Sequence, residues 1–211
     1  MKLIDISPVL DEGIGVWPGD TPLQRKVICD MEEGANYTLS HLHTTVHLGA
    51  HADAPKHYRP GTAGISERPL HYYYGPCEVM RVELARGERI RPRHLAHAPR
   101  APRVLIATGS FPDPRQWNLD FNALSAELVA YLHDECGVHT VGLDTPSVDL
   151  FEDKELEAHN ALADRDMANL EGLVLKDVNP GLYTLSALPL KLADFDASPV
   201  RAILVQEYGA A

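Results

Sequence analysis

The histidines of this 211-residue chain are concentrated in one short segment. Five of the eleven lie between positions 41 and 57, namely His41, His43, His47, His51 and His57. If Tyr37–His47 is a strand, alternation places three of these histidines on one face, with Leu42 and Val46 on the other. The chain must therefore fold so that an imidazole-rich face meets something other than a hydrophobic core.

The alternating pattern breaks after Leu48. Gly49 frees the backbone and Pro55 excludes a continuing helix, which predicts an irregular turn that carries His51 and Asp53 directly after His47. Imidazole and carboxylate are the nitrogen and oxygen ligands that zinc and related divalent metals accept. A turn can direct three such ligands to one ion, so His47, His51 and Asp53 are predicted to form a metal site.

Composition limits the other function classes. The chain is 45% hydrophobic and 23% charged, as globular proteins are, and its net charge of −11 argues against a nucleic-acid or anionic-membrane partner. No apolar run is long enough to span a bilayer. Three distant cysteines, Cys29, Cys77 and Cys136, form neither a disulfide framework nor a thiolate zinc site. We expect one cytoplasmic domain over residues 1–211.

The remaining patterns predict a mixed α/β fold. Helical spacing is clearest in Ser125–Cys136, where Ser125 can cap the first turn and Gly137 can end the helix. A second, shorter helix is predicted over Lys154–Leu162. The predicted strands are short and rich in β-branched or aromatic residues: Lys2–Ser7, Tyr37–His47, Glu78–Leu84, Arg103–Thr108, His139–Leu143, Leu182–Leu190 and Val200–Glu207.

The segment from His47 to His57 resembles the HxGTHxDxPxH motif of the metal-dependent cyclase-like hydrolases, with Ala50 in place of the threonine. The resemblance extends from residue 2 to about residue 207. Four further segments resemble parts of the same family: Trp17–Asp20 its N-terminal loop, Gly142–Asp149 its central strand and loop, His159 with Glu171 its second ligand pair, and 196–206 its closing strand.

The resemblance implies a β/β/α core of the swivelling, cyclase-like type, two divalent ions, usually zinc, and a homodimer. His47, His51 and Asp53 would bind one ion, and His159, Glu171 and a bridging Asp53 the other. His57 would be the catalytic acid–base, and Trp17 would line the substrate pocket. Within the family the likeness is to members that remove formate from N-formyl-L-kynurenine in tryptophan breakdown, the arylformamidases. Manganese or cobalt would accept the same ligands.

Three other readings compete with this activity. The same site could open an isatin-type lactam or another cyclic substrate, because only the pocket would differ. A cupin-like iron dioxygenase is suggested by His41-Leu42-His43, although the glutamate expected a few residues later is missing. A metal buffer without catalysis would not need the ordered spacing of Asp53 and His57.

Overall fold

A nine-stranded mixed sheet runs through the computed structural model, which describes residues 1–206. These described residues form thirteen strands: β1 (Lys2–Asp5), β2 (Gln24–Cys29), β3 (Leu39–His43), β4 (His51–Asp53), β5 (Tyr74–Arg81), β6 (Arg89–Ile90), β7 (Arg103–Ala107), β8 (Ala123–Leu124), β9 (Thr140–Leu143), β10 (Ala168–Glu171), β11 (Gly181–Ser186), β12 (Ala197–Pro199) and β13 (Ile203–Gln206). The order across the large sheet is β1-β13-β11-β5-β7-β9-β10-β4-β12. Two small sheets pair β2 with β3 and β6 with β8.

The centre of the large sheet is parallel and its flanks are antiparallel. Strands β5, β7, β9 and β10 run in one direction, and β4 and β11 pair with this block in the opposite direction. The carboxyl ends of the four parallel strands therefore lie along a single edge of the sheet. The polar residues that could bind a ligand or take part in a reaction lie at that edge.

Both faces of the sheet are covered by apolar side chains. One face packs around Leu170 and its neighbours, and the other packs against helices α1 (Ala126–Ala130) and α2 (Glu157–Asp164) through Leu128 and Leu162. Burial on both sides explains why the central strands are almost continuously apolar. The predicted mixed α/β class is confirmed. Neither helix in the described part of the chain is long and apolar enough to cross a membrane.

The two predicted helices are present with shifted bounds. The Ser125 hydroxyl accepts the backbone N–H of Leu128 at 3.0 Å, so the predicted cap is correct, but α1 passes into a wider π-helical turn over Tyr131–Glu135. The second helix begins at Glu157 rather than Lys154, because Leu156 has a left-handed backbone with φ of 52°. The predicted end of the last strand, Glu207, lies outside the described residues.

The histidine segment folds differently from its prediction. The strand ends at His43 instead of continuing to His47, and it pairs only with β2, so His41 and His43 are exposed and share no face with His47. The expected irregular turn around His51 and Asp53 is instead strand β4, paired on both sides by β10 and β12. Apolar and polar residues alternate from Ala50 to Ala54, as they do in a strand. The flanking Gly49 and Pro55 favoured a turn instead, so the sequence pattern did not predict this strand.

Two glycines hold the turn before β4 against the turn after β10. Gly49 and Gly172 have positive φ angles of 55° and 65°. A Cβ atom on Gly172 would overlap the carbonyl oxygen of Gly49, and a Cβ on Gly49 would lie 2.6 Å from Leu10 Cδ2. Close backbone approach, together with the left-handed conformation, restricts both positions to glycine.

We expect Gly172→Ala to lower the free energy of unfolding by about 2–5 kcal/mol, the sum of a left-handed backbone penalty and overpacking. Gly61→Ala is the matched control: its φ is 73°, but no described atom lies within 4 Å of the added Cβ. The control should lose only about 1–2 kcal/mol. Urea unfolding measures both, and equal losses would contradict the backbone contact.

Candidate metal centre

Strand β4 separates apolar from polar side chains by simple alternation. Ala50, Ala52 and Ala54 are buried in the core on one face of the sheet. His51 and Asp53, also buried, therefore point to the other face. The small alanine side chains allow the apolar core on their face to pack closely against β4, which holds the strand in place. The polar side chains of β4 project toward the face that the helices cover.

The next strand and helix α2 bring two more predicted ligands to the same place. Glu171 is opposite His51 in the β4–β10 register, and its Oε2 lies 3.3 Å from His51 Nε2. His159 is on the buried face of α2, with Nε2 3.5 Å from Asp53 Oδ2 and 3.5 Å from Glu171 Oε1. The structure thus gathers His51, Asp53, His159 and Glu171 although they are far apart in sequence.

His47 completes the cluster from the segment between β3 and β4. Its Nδ1 lies 3.0 Å from Asp53 Oδ1, and its ring centre is 5.2 Å from that of His51. One ligand atom from each of His47, His51 and Asp53 falls within 4.8 Å of the others, and the same holds for Asp53, His57 and His159. All five predicted metal ligands are therefore neighbours.

The donor atoms are arranged as ligands of a cation would be. His51 Nε2, His159 Nε2 and Asp53 Oδ1 are buried and have no hydrogen-bond partner among residues 1–206. The other ring nitrogens are held: His51 Nδ1 donates to the carbonyl of Gly49 at 2.9 Å, and His159 Nδ1 donates to Asp149 Oδ2 at 2.8 Å. Buried polar atoms without partners are costly. The nitrogen and oxygen donors fit a divalent metal.

Electrostatics in the cluster favour positive charge beside ionised carboxylates. Burial opposes protonation of His47, but the adjacent Asp53 carboxylate and a hydrogen bond with Asp196 outweigh it and raise the pKa of His47 to about 9. Burial also opposes ionisation of Asp53, yet the adjacent imidazoles of His159 and His47 hold the pKa of that carboxyl well below its usual value. A divalent cation supplies the charge that this environment favours.

His57 lies at the boundary between the cluster and solvent. It ends a short helical turn, Pro55–His57, and its ring centre is 4.1 Å from that of His47. Burial lowers the pKa of His57, so the neutral ring, which can accept a proton, dominates at neutral pH. Because its ring also reaches Asp53 and His159, the geometry accommodates either a proton-transfer role or metal ligation.

A cavity of about 720 Å³ opens over the cluster and reaches both the histidines and Trp17. Trp17 stacks on Phe151 with ring centres 5.0 Å apart and meets Trp117 edge to face at 5.7 Å. Phe111 continues the same wall, since its ring packs against Trp117 at 5.3 Å. Trp17 is therefore one member of an aromatic wall rather than an isolated residue.

Sequence reasoning missed three polar residues that orient the predicted ligands. Asp149 accepts the backbone N–H of His159 as well as its ring N–H, and it receives Arg89 Nη1 at 2.8 Å. Asn169 Nδ2 donates to Asp53 Oδ2 at 2.7 Å and to Glu171 Oε1 at 3.0 Å. Such contacts fix the tautomer and direction of a ligand.

The third missed residue is Asp196, which lies just before β12. Its Oδ2 is 3.0 Å from His47 Nε2 and 3.6 Å from His57 Nδ1. The sequence offered two signals for these orienting carboxylates. Asp149 is the last residue of the motif that begins at Gly142, and Asp196 is the first carboxylate of the closing segment. Neither spacing alone assigns a role, because the partners come from distant elements.

Comparison with known proteins gives the chain its family. The family model described as "Putative cyclase" matches residues 4–150, well over half of the chain. The kynurenine formamidase of Bordetella petrii is 43% identical over 205 residues, which cover 96% of this chain and 97% of that protein.

Solved structures agree with this assignment. A potential metal-dependent hydrolase with cyclase activity superimposes with a TM-score of 0.83 at 28% identity, over 98% of each chain. Isatin hydrolase A of Labrenzia aggregata shares the fold, with a TM-score of 0.81 at 21% identity over 98% of this chain and 94% of that one. A polar cluster built on β4, β10 and α2, in a chain that matches along nearly its whole length, identifies this protein as a member of the cyclase family of metal-dependent hydrolases.

Proposed function

We propose that this protein is a metal-dependent kynurenine formamidase, which hydrolyses N-formyl-L-kynurenine to L-kynurenine and formate. The observation that carries the proposal is the 43% identity to the Bordetella petrii kynurenine formamidase over 96% of the chain. The cavity supports it, since an aryl formamide needs an aromatic wall next to a hydrolytic centre, and Trp17 and Trp117 form such a wall beside His47.

We assign two divalent ions, most simply zinc, to the cluster. His47, His51 and Asp53 would hold one ion, and Asp53, His159 and Glu171 the other, with Asp53 shared. Three protein ligands at an ion leave positions open for water and substrate, as catalytic sites do. The chemistry that such ions supply is polarisation of a carbonyl oxygen and a lowering of the pKa of water toward 7.

His57 is assigned as the acid–base residue. Its neutral ring, at the mouth of the cluster, can take the proton that the attacking water loses. The resulting imidazolium can give that proton to the amine nitrogen, which makes the aromatic amine a better leaving group. Asp196, 3.6 Å from His57 Nδ1, stabilises the protonated ring between these two transfers.

The aromatic wall positions the ring of the substrate. Stacking on an indole adds about 0.5–1.5 kcal/mol beyond burial of area. Trp17 is held by Phe151 and Trp117, so the surface that it presents is fixed before substrate binds. A fixed wall places the formamide over the cluster without further loss of conformational entropy.

Lactam opening is the second candidate function, because the isatin hydrolase shares this fold. That resemblance is one of architecture alone, at 21% identity. The iron dioxygenase reading is not supported: His41 and His43 are exposed on the β2–β3 hairpin, and neither belongs to a cluster of possible ligands in the described residues.

The direct test is a formate-release assay with metal analysis of the same preparation. We expect close to two divalent ions per chain, cleavage of N-formyl-L-kynurenine in preference to opening of isatin, and loss of activity after chelation. Zinc, manganese or cobalt added to the chelated protein should restore activity to different extents. Isatin turnover without formate release would replace the formamidase assignment by lactam hydrolysis.

A substitution at His57 separates chemistry from metal binding. His57→Asn should retain the bound metal and lower kcat by roughly 100- to 10,000-fold, the usual contribution of a general acid–base. Steady-state kinetics and metal analysis measure the two quantities. Loss of an equivalent of metal in this variant would make His57 a ligand and refute the acid–base role.

We also propose that the protein is a homodimer in which a second copy covers the β2–β3 hairpin. Val27 and Ile28 on β2 are 40% and 54% exposed, Leu42 on β3 is 61% exposed, and every residue of the two strands except Cys29 is exposed. Neither face of this ribbon is packed against the rest of the described chain. An isolated two-stranded hairpin is only marginally stable in water.

A charge on the hairpin should disrupt this dimer. Leu42→Glu would bury an unpaired carboxylate in the contact, so we expect sedimentation equilibrium to show a monomer, whereas the unchanged protein is a dimer. Leu119→Glu, on a loop residue 52% exposed, is the control and should stay dimeric. Dimers of equal stability in all three proteins would place the contact elsewhere.

A further inference from the structure

The cavity extends well beyond the metal ligands along the carboxyl edge of the parallel strands. Glu171 ends β10, whereas Arg81 ends β5, and both line the cavity. Strands β5, β7, β9 and β10 are consecutive in the sheet, so these two residues are three strand spacings apart. With about 4.8 Å per spacing, their backbones are separated by roughly 14 Å. Arg81 thus stands at a distance from the hydrolytic centre along a continuous wall.

The registers place Arg81 at the end of its strand, one position beyond the row of residues that contains Glu171. Arg81 pairs with Ala107, Ile106 with Leu143, and Gly142 with Leu170. By strand alternation Arg81 shares a face with Val79 and Leu105, whereas Glu171 follows Leu170 and lies on the opposite, helix-covered face. Both residues nevertheless line the cavity, which therefore extends over the strand ends. A ligand that follows the cavity would meet Glu171 at one end and Arg81 at the other.

Arg81 carries a charge that no carboxylate of residues 1–206 neutralises. Nine other arginines pair with carboxylates, whereas Arg81 has no ion-pair partner in residues 1–206. Its Nη2 donates long hydrogen bonds of 3.4 Å to the carbonyls of Lys176 and Val178, which steady the guanidinium. Asp144, the carboxylate between Arg81 and the cluster, is occupied by Thr108 and Gly109.

Lys176 adds a second positive charge at the same end of the cavity. It lines the cavity, its backbone contacts Arg81, and it too has no carboxylate partner in the part of the chain that the structure describes. Two cations without a carboxylate partner among residues 1–206 thus line one cavity of a chain whose net charge is −11. A guanidinium can bind a carboxylate through two parallel hydrogen bonds, and a nearby ammonium strengthens the attraction.

We infer that Arg81, assisted by Lys176, binds the α-carboxylate of the substrate and determines specificity for aryl formamides that carry an amino-acid head. The inference rests on the proposed function. The formamide of N-formyl-L-kynurenine is one ortho substituent of the ring, and the keto side chain with its carboxylate is the other. With the formamide over the cluster and the ring against Trp17, the carboxylate extends along the strand ends toward Arg81.

The experiment compares two substrates that differ only in this head. N-formyl-2-aminoacetophenone keeps the ring, the ketone and the formamide but lacks the amino acid. In Arg81→Met, kcat/KM for N-formyl-L-kynurenine should fall about 10-fold or more, mainly through KM, while the shortened substrate is unaffected. Lys176→Met should give a smaller loss of the same kind, and Arg81→Lys should recover part of it.

A matched control tests whether loss of any surface arginine has this effect. Arg91→Met removes an exposed arginine that pairs with Glu127 on the helix side and lies outside the cavity lining, so both substrates should keep their kinetics. An equal loss for both substrates in Arg81→Met, or no loss for either, would overturn the carboxylate assignment. The formamidase proposal would survive that outcome, because the unchanged protein would still release formate.

Binding provides a readout that does not depend on turnover. Calorimetric titration with L-kynurenine and with 2-aminoacetophenone should show that Arg81→Met weakens only the first. Salt should also weaken binding of L-kynurenine to the unchanged protein, because the charges are near the surface. If the unchanged protein cleaves neither formamide, the proposed function fails; if both products lose affinity equally in Arg81→Met, the carboxylate assignment fails.

Discussion

Two buried carboxylates, Asp53 and Glu171, lie on the same face of the sheet where β4 pairs with β10. Ionised groups in a protein interior are tolerated only when opposite charge and hydrogen bonds compensate the lost hydration. Asn169 donates to both carboxylates, and the imidazoles of His51 and His159 lie against them. The arrangement of strands, helix and cavity follows from the need to satisfy these two groups.

The compensation is organised in layers around the carboxylates. The ring nitrogens of His51 and His159 that face away from the cluster are held by the Gly49 carbonyl and by Asp149, and Arg89 in turn neutralises Asp149. Each of these outer hydrogen bonds fixes the orientation of a side chain that contacts the carboxylates. Because the inner groups project from strands and a helix, their positions vary little, as a site for metal chemistry requires.

Local patterns predicted which side chains lie together, but not which elements hold them there. The spacing of His47, His51 and Asp53 indicated a metal site, and the family motifs indicated His159 and Glu171, because ligand identity is a local chemical property. The strand character of His51–Asp53 was missed, since Gly49 and Pro55 mask a three-residue strand that depends on β10 and β12 for its hydrogen bonds. Asp149, Asn169 and Asp196 act only through tertiary contacts, which no spacing reveals.

The pairing of β4 with β10 also has a consequence for how the protein reaches its native state. Asn169 and Asp53, which share a hydrogen bond, are separated by 116 positions along the chain. Contacts of such range close a long loop and so form only after much conformational entropy has been lost. The proposed ligand set is therefore not assembled in an early, locally ordered chain. A cation that needs all of these ligands would bind after the sheet has assembled, and its uptake would report completion of folding rather than initiate it.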